Sequence, residues 1–395
     1  MPRRVLDAVV GAALAAAPEA SDYILTARSP AGALVNGVFT PLSLPGLSGP
    51  LAPAQTETLT RGLVGADARL IADLRARGSC DASYAHPGGT RFRVNAYRAG
   101  ESLGLVLRRL PDAPPPLDAL GLPPAFARMA KLAEGLVLVV GSTGSGKSTT
   151  LAALAAAILE TRPVHVVTLE DPVETLFSPG QGVVSQRELG TDFPSFAEGI
   201  RAALRQAPHV ILVGEARDRE TVDAALGAAE TGHLVLTTLH TADCSGAVER
   251  LLAFFGPNEQ TLARQRLAAS LRYVVAQRLL PHVGGGRAVS AEVLAATLRT
   301  RDRIRLEKEQ GRGFTDILEQ GRPYGMVTFD ASTAALFAAG AITEETALAH
   351  ASDRAALARE LDAVKAARGQ AVSSITGLTL DASQEQQPQD TEDWP

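Results

Sequence analysis

The stretch GLVLVVGSTGSGKSTT, residues 135–150, decides the fold of this 395-residue chain. A short apolar run is followed by glycines, a lysine and a serine in the spacing G-x-x-x-x-G-K-[ST], and a helical pattern comes next. Glycines let backbone N–H groups turn towards a phosphate, Lys147 neutralises phosphate oxygens, and Ser148 can ligate Mg²⁺. This strand, loop and helix context predicts a P-loop that binds ATP and Mg²⁺. The predicted nucleotide-binding residues are Ser142, Thr143, Gly144, Ser145, Gly146, Lys147, Ser148 and Thr149.

Apolar runs alternate with helical patterns beyond the P-loop. The runs are VHVVTLED, HVILVGE and HLVLTTLH, and the helical patterns between them are SFAEGIRAALRQ and TVDAALGAAE. Short runs joined by helices are typical of strands buried on both faces of a largely parallel sheet. The predicted fold class is therefore α/β. From about Ala242 onward, including RQRLAASLRYVVAQRLL, we expect a mostly helical C-terminal part.

The first 110 residues predict a small α+β domain. Strand-like pieces such as YILTAR, GALVNGVF, FRVNAYR and SLGLVLRR are separated by turn-forming residues. Asp7 interrupts the apolar opening, which favours an amphipathic first helix over a secretory signal. The residues expected on the apolar face of this helix are Val5, Leu6, Val9, Val10 and Leu14.

The proline-rich stretch LPDAPPPLDALGLPP, residues 110–124, predicts a stiff connection between two domains. The expected organisation is an N-terminal domain over residues 1–110, a linker over 111–124 and an ATPase domain over 125–370. Residues 371–395 are polar, rich in glutamine and acidic, which predicts a disordered tail.

Composition argues against several classes of protein. The formal net charge of −5 gives no support for nucleic-acid binding, and no nucleic acid is expected as a partner. Cys80 and Cys244 form no CxxC pair, which fits a reducing compartment and indicates no structural zinc site. No apolar run approaches the length of a membrane span, and use of ATP favours the cytoplasm.

Carboxylates and histidines follow the predicted strands. Glu170 and Asp171 end the strand in VVTLEDPVE, and Glu215 ends the strand in HVILVGEARD. Ligand crevices of parallel sheets lie at the carboxyl ends of the strands, so these groups are expected to face the phosphates. Gly214 stands where a magnesium-binding Asp is usual, and we expect this small residue to leave room for water. If each of these carboxylates is considered alone, a solvated acidic turn is the simpler interpretation.

Four ordered segments resemble the PilT branch of the type II and type IV secretion ATPases. They are GLVLVVGSTGSGKSTTLAAL, TLEDPVE, the long run from QRELG to TADC, and QGRPYGMVTFD. With ASDYIL and RFRVNAYRAGESLGLVLRRLP, the resemblance spans almost the whole chain except the tail. It implies a PAS-like N-terminal domain, a RecA-like P-loop ATPase domain and assembly into a homohexameric ring.

The resemblance also implies roles for individual side chains. Glu170 and Asp171 would organise metal and water together with Ser148, and Glu215 would orient or deprotonate the attacking water. The predicted catalytic group also contains Lys147 and two histidines expected near the nucleotide and the domain interface, His233 and His240.

Arginines of the N-terminal domain sense the γ-phosphate in this family. The matching positions are Arg93 and Arg108, although Arg91 and Arg109 are close enough to compete for the assignment. Without the resemblance, a basic sheet edge with surface ion pairs worth about 0–1 kcal/mol each would be the simpler interpretation.

Within the family, the retraction branch is favoured. Extension and secretion motors typically carry a tetracysteine zinc insert and a longer N-terminal region, whereas only about 110 residues precede the linker in this chain. The implied function is retraction of type IV pili in twitching motility, by a cytoplasmic motor peripheral at the inner membrane. Its implied partners are an inner-membrane pilus platform protein and possibly other pilus motor ATPases.

One segment departs from the retraction pattern. Residues 299–305 read RTRDRIR where retraction motors usually show AIRNLIR. An alternative is therefore an accessory or regulatory paralogue with weak turnover that serves another pilus or secretion system. A RecA-like nucleic-acid motor is the other alternative, and it would need a basic channel and salt-sensitive binding.

Overall fold

The fold is that of a computed structural model, and the structure describes residues 2–47, 49–306 and 314–370. The contacts divide the chain into two compact units. The first comprises Met1–Leu279 and Val289–Thr328, and the second comprises Leu280–Ala288 and Phe329–Pro395. The domain boundaries expected at residues 110 and 124 fall inside the first unit and stay predictions. The tail over 371–395 lies outside the described residues.

The first unit begins with a six-stranded antiparallel sheet in the order β3-β2-β1-β6-β5-β4. Asn36 and Gly37 both have positive φ and form the two-residue turn between the second and third strands, as such hairpins require. The strands are β1 (Asp22–Thr26), β2 (Gly32–Val35), β3 (Val38–Pro41), β4 (Ser79–Ala85), β5 (Arg91–Ala99) and β6 (Ser102–Arg109).

Three helices accompany this sheet: α1 (Pro2–Ala16), α2 (Pro53–Val64) and α3 (Ala68–Arg77). The amphipathic first helix is confirmed, since Leu6 and Val10 are buried in the core. Val5, expected on the same face, is instead 43% exposed. The region is α+β as predicted, whereas its likeness to a PAS domain stays a prediction. Helices α2 and α3 and strand β4 were not predicted.

The second sheet has seven strands in the order β13-β12-β7-β11-β10-β8-β9. Every pairing from β12 to β9 is parallel, and β7, β10 and β11 are buried along their whole length, which confirms the predicted largely parallel, two-sided sheet. The strands are β7 (Gly135–Val140), β8 (His165–Glu170), β9 (Val183–Glu188), β10 (Val210–Val213), β11 (Leu234–Leu239), β12 (Leu271–Pro281) and β13 (Arg287–Ala295).

Several helices that pack beside this sheet in the first unit begin at N-cap residues. Ser195, Asp218 and Asp243 each accept a backbone N–H of the following helix, as N-cap residues do. Within the linker, Leu117–Leu120 forms a short 3₁₀ turn. The helices are α4 (Ala125–Met129), α5 (Lys147–Thr161), α6 (Phe196–Ala203), α7 (Arg219–Glu230), α8 (Cys244–Ala253), α9 (Gln260–Ser270), α10 (Leu298–Arg305) and α11 (Thr315–Gln320).

The expectation of a mostly helical region after Ala242 is wrong in part. The run RQRLAASLRYVVAQRLL is helical only to Ser270, and from Leu271 it is strand β12, paired with β7. Short apolar runs do not distinguish a buried strand from a buried helix by periodicity alone. The consecutive residues Val274 and Val275 are β-branched, and such residues favour a strand. Strand β13 was not predicted.

The second unit contains α12 (Phe329–Ala338), α13 (Glu344–Ala349) and α14 (Arg354–Ala367). The Asp330 carboxylate accepts the N–H groups of Ser352 and Asp353, which fixes the loop that leads into α14. None of the helices in the described ranges combines the length and apolarity needed to cross a bilayer. The buried core of this unit consists of Leu280, Ala288, Ala334, Phe337, Ile342, Ala347, Leu357 and Leu361.

Candidate active site

The P-loop runs from the end of β7 to the start of α5. Gly141, Gly144 and Gly146 have φ values of 150°, 78° and 89°. A Cβ at Gly141 would lie 2.4 Å from Ser145 Oγ and 2.6 Å from the backbone oxygen of Gln277. Only glycine therefore allows the loop to pass this close to β12.

Lys147 is held at the mouth of this loop. Its Nζ donates to the backbone oxygens of Gly141 and Ser142, each at 2.9 Å. Burial lowers the pKa of Lys147, and the Glu215 carboxylate opposes this shift. Phosphate oxygens are stronger acceptors for an ammonium group than neutral carbonyls are. The two carbonyls thus hold the lysine where a phosphate can replace them.

The remaining loop residues fit a triphosphate with its metal. Ser142, Thr143, Gly144, Ser148 and Thr149 are exposed at the start of the 15-residue helix α5, whose N-terminus favours anions. The described part of the chain contains no cluster of three or more His, Cys, Asp or Glu side chains able to hold a metal. A nucleotide site does not require one, because Mg²⁺ there takes one or two protein ligands and completes its shell with phosphates and water.

Glu215 and His240 come together at the carboxyl edge of the sheet. Strands β10 and β11 are parallel neighbours, and each side chain follows the end of one of them. Glu215 Oε2 lies 3.4 Å from His240 Nε2, while Glu215 Oε1 pairs with Arg217 Nε. The Glu215 side chain is only 13% exposed, so its charge acts in a partly desolvated site.

His233 does not join this group. It precedes β11, and its Nδ1 lies 3.1 Å from the backbone oxygen of Ala228 and 3.2 Å from Thr231 Oγ1. Strand residues rise by about 3.3 Å each, so the length of β11 separates the two histidines by on the order of 20 Å. The structure therefore brings only His240 to the edge that carries Glu215.

Glu170 is used in a network that joins β8 to β9. Its Oε1 accepts from Thr168 Oγ1 at 2.6 Å and from Gln186 Nε2 at 3.1 Å. Burial raises the pKa of Glu170 above its ordinary value, although these two hydrogen bonds oppose the shift. Gln186, whose amide holds this carboxylate in place, belongs to no motif that would have singled it out.

Asp171, the next residue, lies in the electrostatic field of the site. Burial raises the pKa of Asp171, Arg93 and Arg217 lower it, and the Glu215 carboxylate raises it. Of the two predicted metal-organising carboxylates on this strand end, only Asp171 has a pKa that is raised by Glu215.

Gly214 fills a packed position. Its N–H donates to the backbone oxygen of Leu169 at 2.8 Å, and its own oxygen accepts from Thr238 Oγ1 at 2.6 Å. A Cβ at this position would lie 3.3 Å from the Leu169 oxygen and 3.7 Å from Phe196 Cζ. A side chain at this position would therefore contact β8 and α6, and the expectation that Gly214 leaves room for water stays a prediction.

Arginines of β5 reach the loop that follows β8. Arg91 Nη2 donates to the backbone oxygen of Val173 at 2.7 Å, and Arg91 Nη1 donates to that of Glu174 at 3.4 Å. Arg93 Nη1 lies 3.7 Å from Glu174 Oε1. Arg108 instead pairs with Asp22 at 2.8 Å, within the first sheet. The alternation of β5 places Arg91 and Arg93 on one face, and this pattern was the available signal for Arg91.

A second link joins the two sheets of the first unit. Ser83 Oγ donates to Glu188 Oε2 at 2.7 Å, and the same oxygen accepts the N–H of Val173 at 3.2 Å. Neither Ser83 nor Glu188 was singled out in the sequence. Together with Arg91 they fix the loop over residues 171–174 between the sheets.

Comparisons with known proteins show the family of this chain. Residues 89–322 match the family described as Type II/IV secretion system protein. The chain is 38% identical to the type IV pilus retractation ATPase PilT of Pseudomonas aeruginosa over 85% of this chain and 95% of that protein. It is 36% identical to the type IV pilus ATPase PilU of the same organism over 91% of this chain and 93% of that protein.

The three-dimensional fold is also similar to that of a member of this family. A crystal structure of the pilus retraction motor PilT with bound ADP superimposes with a TM-score of 0.77 at 35% identity, covering 90% of this chain and 98% of that one. The chain therefore belongs to the type II/IV secretion system protein family and is a PilT-like ATPase.

Proposed function

We propose that this chain is the subunit of a six-membered ring that hydrolyses ATP to retract type IV pili. The observation that carries the proposal is that the P-loop with Lys147, Asp171, Glu215 and His240 all follow the carboxyl ends of parallel strands of one sheet, where Glu215 and His240 lie 3.4 Å apart. Similarity to PilT over 85% of the chain supports retraction as the use of that chemistry.

Phosphoryl transfer needs positioning and charge neutralisation more than covalent chemistry. Lys147 would leave its two carbonyl partners for the β- and γ-phosphate oxygens. Ser148 and Asp171 would hold Mg²⁺, directly or through water, with Glu170 supporting them, and the bound ion would neutralise phosphate charge. Glu215 would orient or deprotonate the attacking water, and His240 would hold the Glu215 carboxylate in place.

Arg93 would supply the sensor of the γ-phosphate from the first sheet. In this structure the Arg93 guanidinium forms an ion pair with Glu174, and its charge lowers the pKa of Asp171. To reach a phosphate it would have to leave Glu174, so hydrolysis would be coupled to movement of β5 against the ATPase sheet. Arg108 would need to break its pair with Asp22 to act in the same way.

The proposal includes a cellular place for the motor. We infer a cytoplasmic ring, peripheral at the inner membrane, that engages a pilus platform protein and works beside other pilus motor ATPases. Its N-terminal region would be PAS-like, and its ATPase region RecA-like.

A second candidate is an accessory or regulatory paralogue with weak turnover. The RTRDRIR sequence of α10, which departs from the retraction pattern, favours it. This candidate keeps the nucleotide site but assigns the movement of the filament to another motor.

The test is Mg²⁺-dependent phosphate release by the purified chain, beside Lys147→Ala and Glu215→Gln. We expect turnover that both substitutions abolish, and an unchanged rate in Lys131→Ala, which removes an exposed lysine outside the loop. Equal and negligible rates in all four proteins would contradict the motor. Deletion of the gene should then give excess pili without twitching. Bald cells would contradict retraction, and normal retraction would favour the accessory role.

A further inference from the structure

Gln277 is a buried residue of β12 that lies directly beside the P-loop, and it is only 1% exposed. The preceding residue, Ala276, pairs with Val140, the last residue of β7, so the P-loop begins opposite Gln277. A Cβ at Gly141, the first residue of the loop, would lie 2.6 Å from the Gln277 backbone oxygen. Gln277 therefore belongs to the immediate surroundings of the P-loop, although no motif singles it out.

The Gln277 side chain reaches the first turn of α5. Its Nε2 donates to Thr150 Oγ1 at 2.9 Å, and Thr150 is itself only 2% exposed. The Thr150 N–H donates to the backbone oxygen of Gly146 at 2.9 Å and so closes the first turn of the helix. Lys147 and Ser148 belong to this same turn. A chain of hydrogen bonds thus runs from β12 through Thr150 to the last glycine of the P-loop.

Apolar packing at this place does not do the same work as the hydrogen bond. Leu279 lies two residues beyond Gln277, on the same face of β12, and its Cδ atoms would lie 3.8 and 3.9 Å from a Cβ at Gly146. A contact of this kind limits how closely α5 approaches β12. It does not fix the orientation of the first turn, because apolar contacts are non-directional whereas hydrogen bonds are directional.

The Gln277 amide is also an unfavourable choice for packing alone. Its Oε1 is buried and has no hydrogen-bond partner among the described residues. Burial of a polar atom without a protein partner destabilises the folded state, and an apolar side chain of similar volume would avoid this loss. The hydrogen bond to Thr150 is therefore a better explanation of the amide than a contribution to the core.

We propose that Gln277 is a positioning residue of the nucleotide site. Through Thr150 it holds the first turn of α5, and with it the backbone N–H groups of the P-loop, in the orientation that receives a phosphate. This inference rests on the ATPase activity of the family and not on the retraction of pili.

The proposed role predicts an effect on binding rather than on the chemical step. The N–H groups of the P-loop contact phosphate in the ground state and in the transition state alike, so their displacement should raise KM and leave kcat nearly unchanged. The catalytic edge with Glu215 and His240 is carried by two other strands, β10 and β11.

Thr150→Val and Thr150→Ser give the first test, in the purified full-length protein. Valine keeps the shape of threonine without the hydroxyl, whereas serine keeps the hydroxyl. Titration with fluorescent N-methylanthraniloyl-ADP should show a Kd raised about tenfold in Thr150→Val and changed less than about twofold in Thr150→Ser. KM for ATP should follow Kd, with kcat within about threefold of the wild type. Equal increases in Kd for serine and valine would contradict a role of the hydroxyl.

Gln277→Met gives the second test, because it keeps the length of the side chain and removes the amide. It should also raise Kd about tenfold. Gln277→Met/Thr150→Val should raise Kd no further than either single change, since both remove the same bond. The double variant replaces a polar pair by an apolar one, so its free energy of unfolding in urea should be at least that of either single variant. The control is Gln265→Met, at an exposed position of α9, which should bind like the wild type.

Three results would overturn the positioning role. Unchanged Kd in Gln277→Met would mean that the bond does not orient the loop, and a Kd of the double variant equal to that of the wild type would mean that packing alone orients α5. Losses that multiply in the double variant would mean that Gln277 and Thr150 act separately. Failure of the wild type to bind the nucleotide would overturn the proposed function as well, whereas equal binding by all of these proteins would overturn only the role of Gln277.

Discussion

Arg93 Nη1 lies 3.7 Å from Glu174 Oε1, and this ion pair joins β5 of the first sheet to the loop that follows β8. The two side chains are 41% and 43% exposed, so the pair contributes only about 0–1 kcal/mol. Arg91, two residues earlier on the same face, makes the firmer contact with this loop through backbone oxygens. Arg91 therefore holds the loop in place, whereas Arg93 can leave Glu174 with little loss of free energy.

The first prediction concerns release of Arg93. Glu174→Gln removes the carboxylate that competes with a phosphate for the guanidinium, so we expect a higher rate of ATP hydrolysis. The gain should not exceed about fivefold, because an exposed pair is worth at most about 1 kcal/mol. Steady-state kcat and KM are the measurement, with Glu198→Gln as an exposed control on α6. A fall in rate would show that Glu174 assists hydrolysis.

The two histidines should behave differently. His240→Ala removes the group 3.4 Å from Glu215, and we expect kcat to fall by about 10²-fold with ATP binding retained. His233→Ala should leave kcat nearly unchanged, because His233 lies at the other end of β11. Single-turnover hydrolysis and binding of a fluorescent nucleotide separate the two steps. Equal losses in both variants would contradict the separation of His233 from the catalytic edge.

The sequence was sufficient where a local pattern is tied to one structure. The P-loop lies between β7 and α5 because the glycine spacing has few other uses, and the parallel sheet follows from apolar runs joined by helices. It failed at β12, where an apolar run continues directly from helix α9 and neither Gly nor Pro marks the change at Leu271. Pairing with β7, a long-range contact, decides that segment.

In the candidate site, too, local features could be predicted from the sequence and long-range contacts could not. The closeness of Glu215 and His240 could be predicted because each follows a strand end, which is a local signal. The hydrogen bonding of Glu170 depends on Gln186, and the pKa of Asp171 is lowered by Arg93, and both partners are distant in sequence. Partners of this kind are set by packing, so a single sequence does not identify them.

The pH dependence of stability should report on Glu170. Burial raises the pKa of Glu170 above its ordinary 4.5, so the folded state holds this proton more tightly than the unfolded chain. The stability from this group is thus fully present below pH 4.5 and is lost as pH rises through the folded pKa. Glu170→Gln keeps an acceptor for Thr168 and Gln186 without the charge. We expect the free energy of unfolding of this variant, relative to the wild type, to increase between pH 4 and pH 8.

Urea denaturation at several pH values measures this difference. Glu198→Gln is the matched control, since Glu198 is exposed and its removal should give a difference that does not grow with pH. A relative stability of Glu170→Gln that decreases with pH would show that ionised Glu170 stabilises the fold.

The last prediction concerns the position where an Asp is usual. Gly214→Asp would restore the common residue, yet its Cβ would lie 3.3 Å from the Leu169 oxygen and its carboxylate would enter the packing of β8 and α6. We expect a loss of about 1–3 kcal/mol in the free energy of unfolding and no gain in Mg²⁺-dependent hydrolysis. Gly227→Asp is the control, because a Cβ there meets only Arg266 Nη2, at 3.9 Å. Faster hydrolysis or tighter Mg²⁺ binding in Gly214→Asp would contradict this, since it would place the side chain of residue 214 in the metal site. A variant that is only less stable, with Mg²⁺ dependence unchanged, would agree with the proposal that Asp171, at the end of β8, helps to hold the metal.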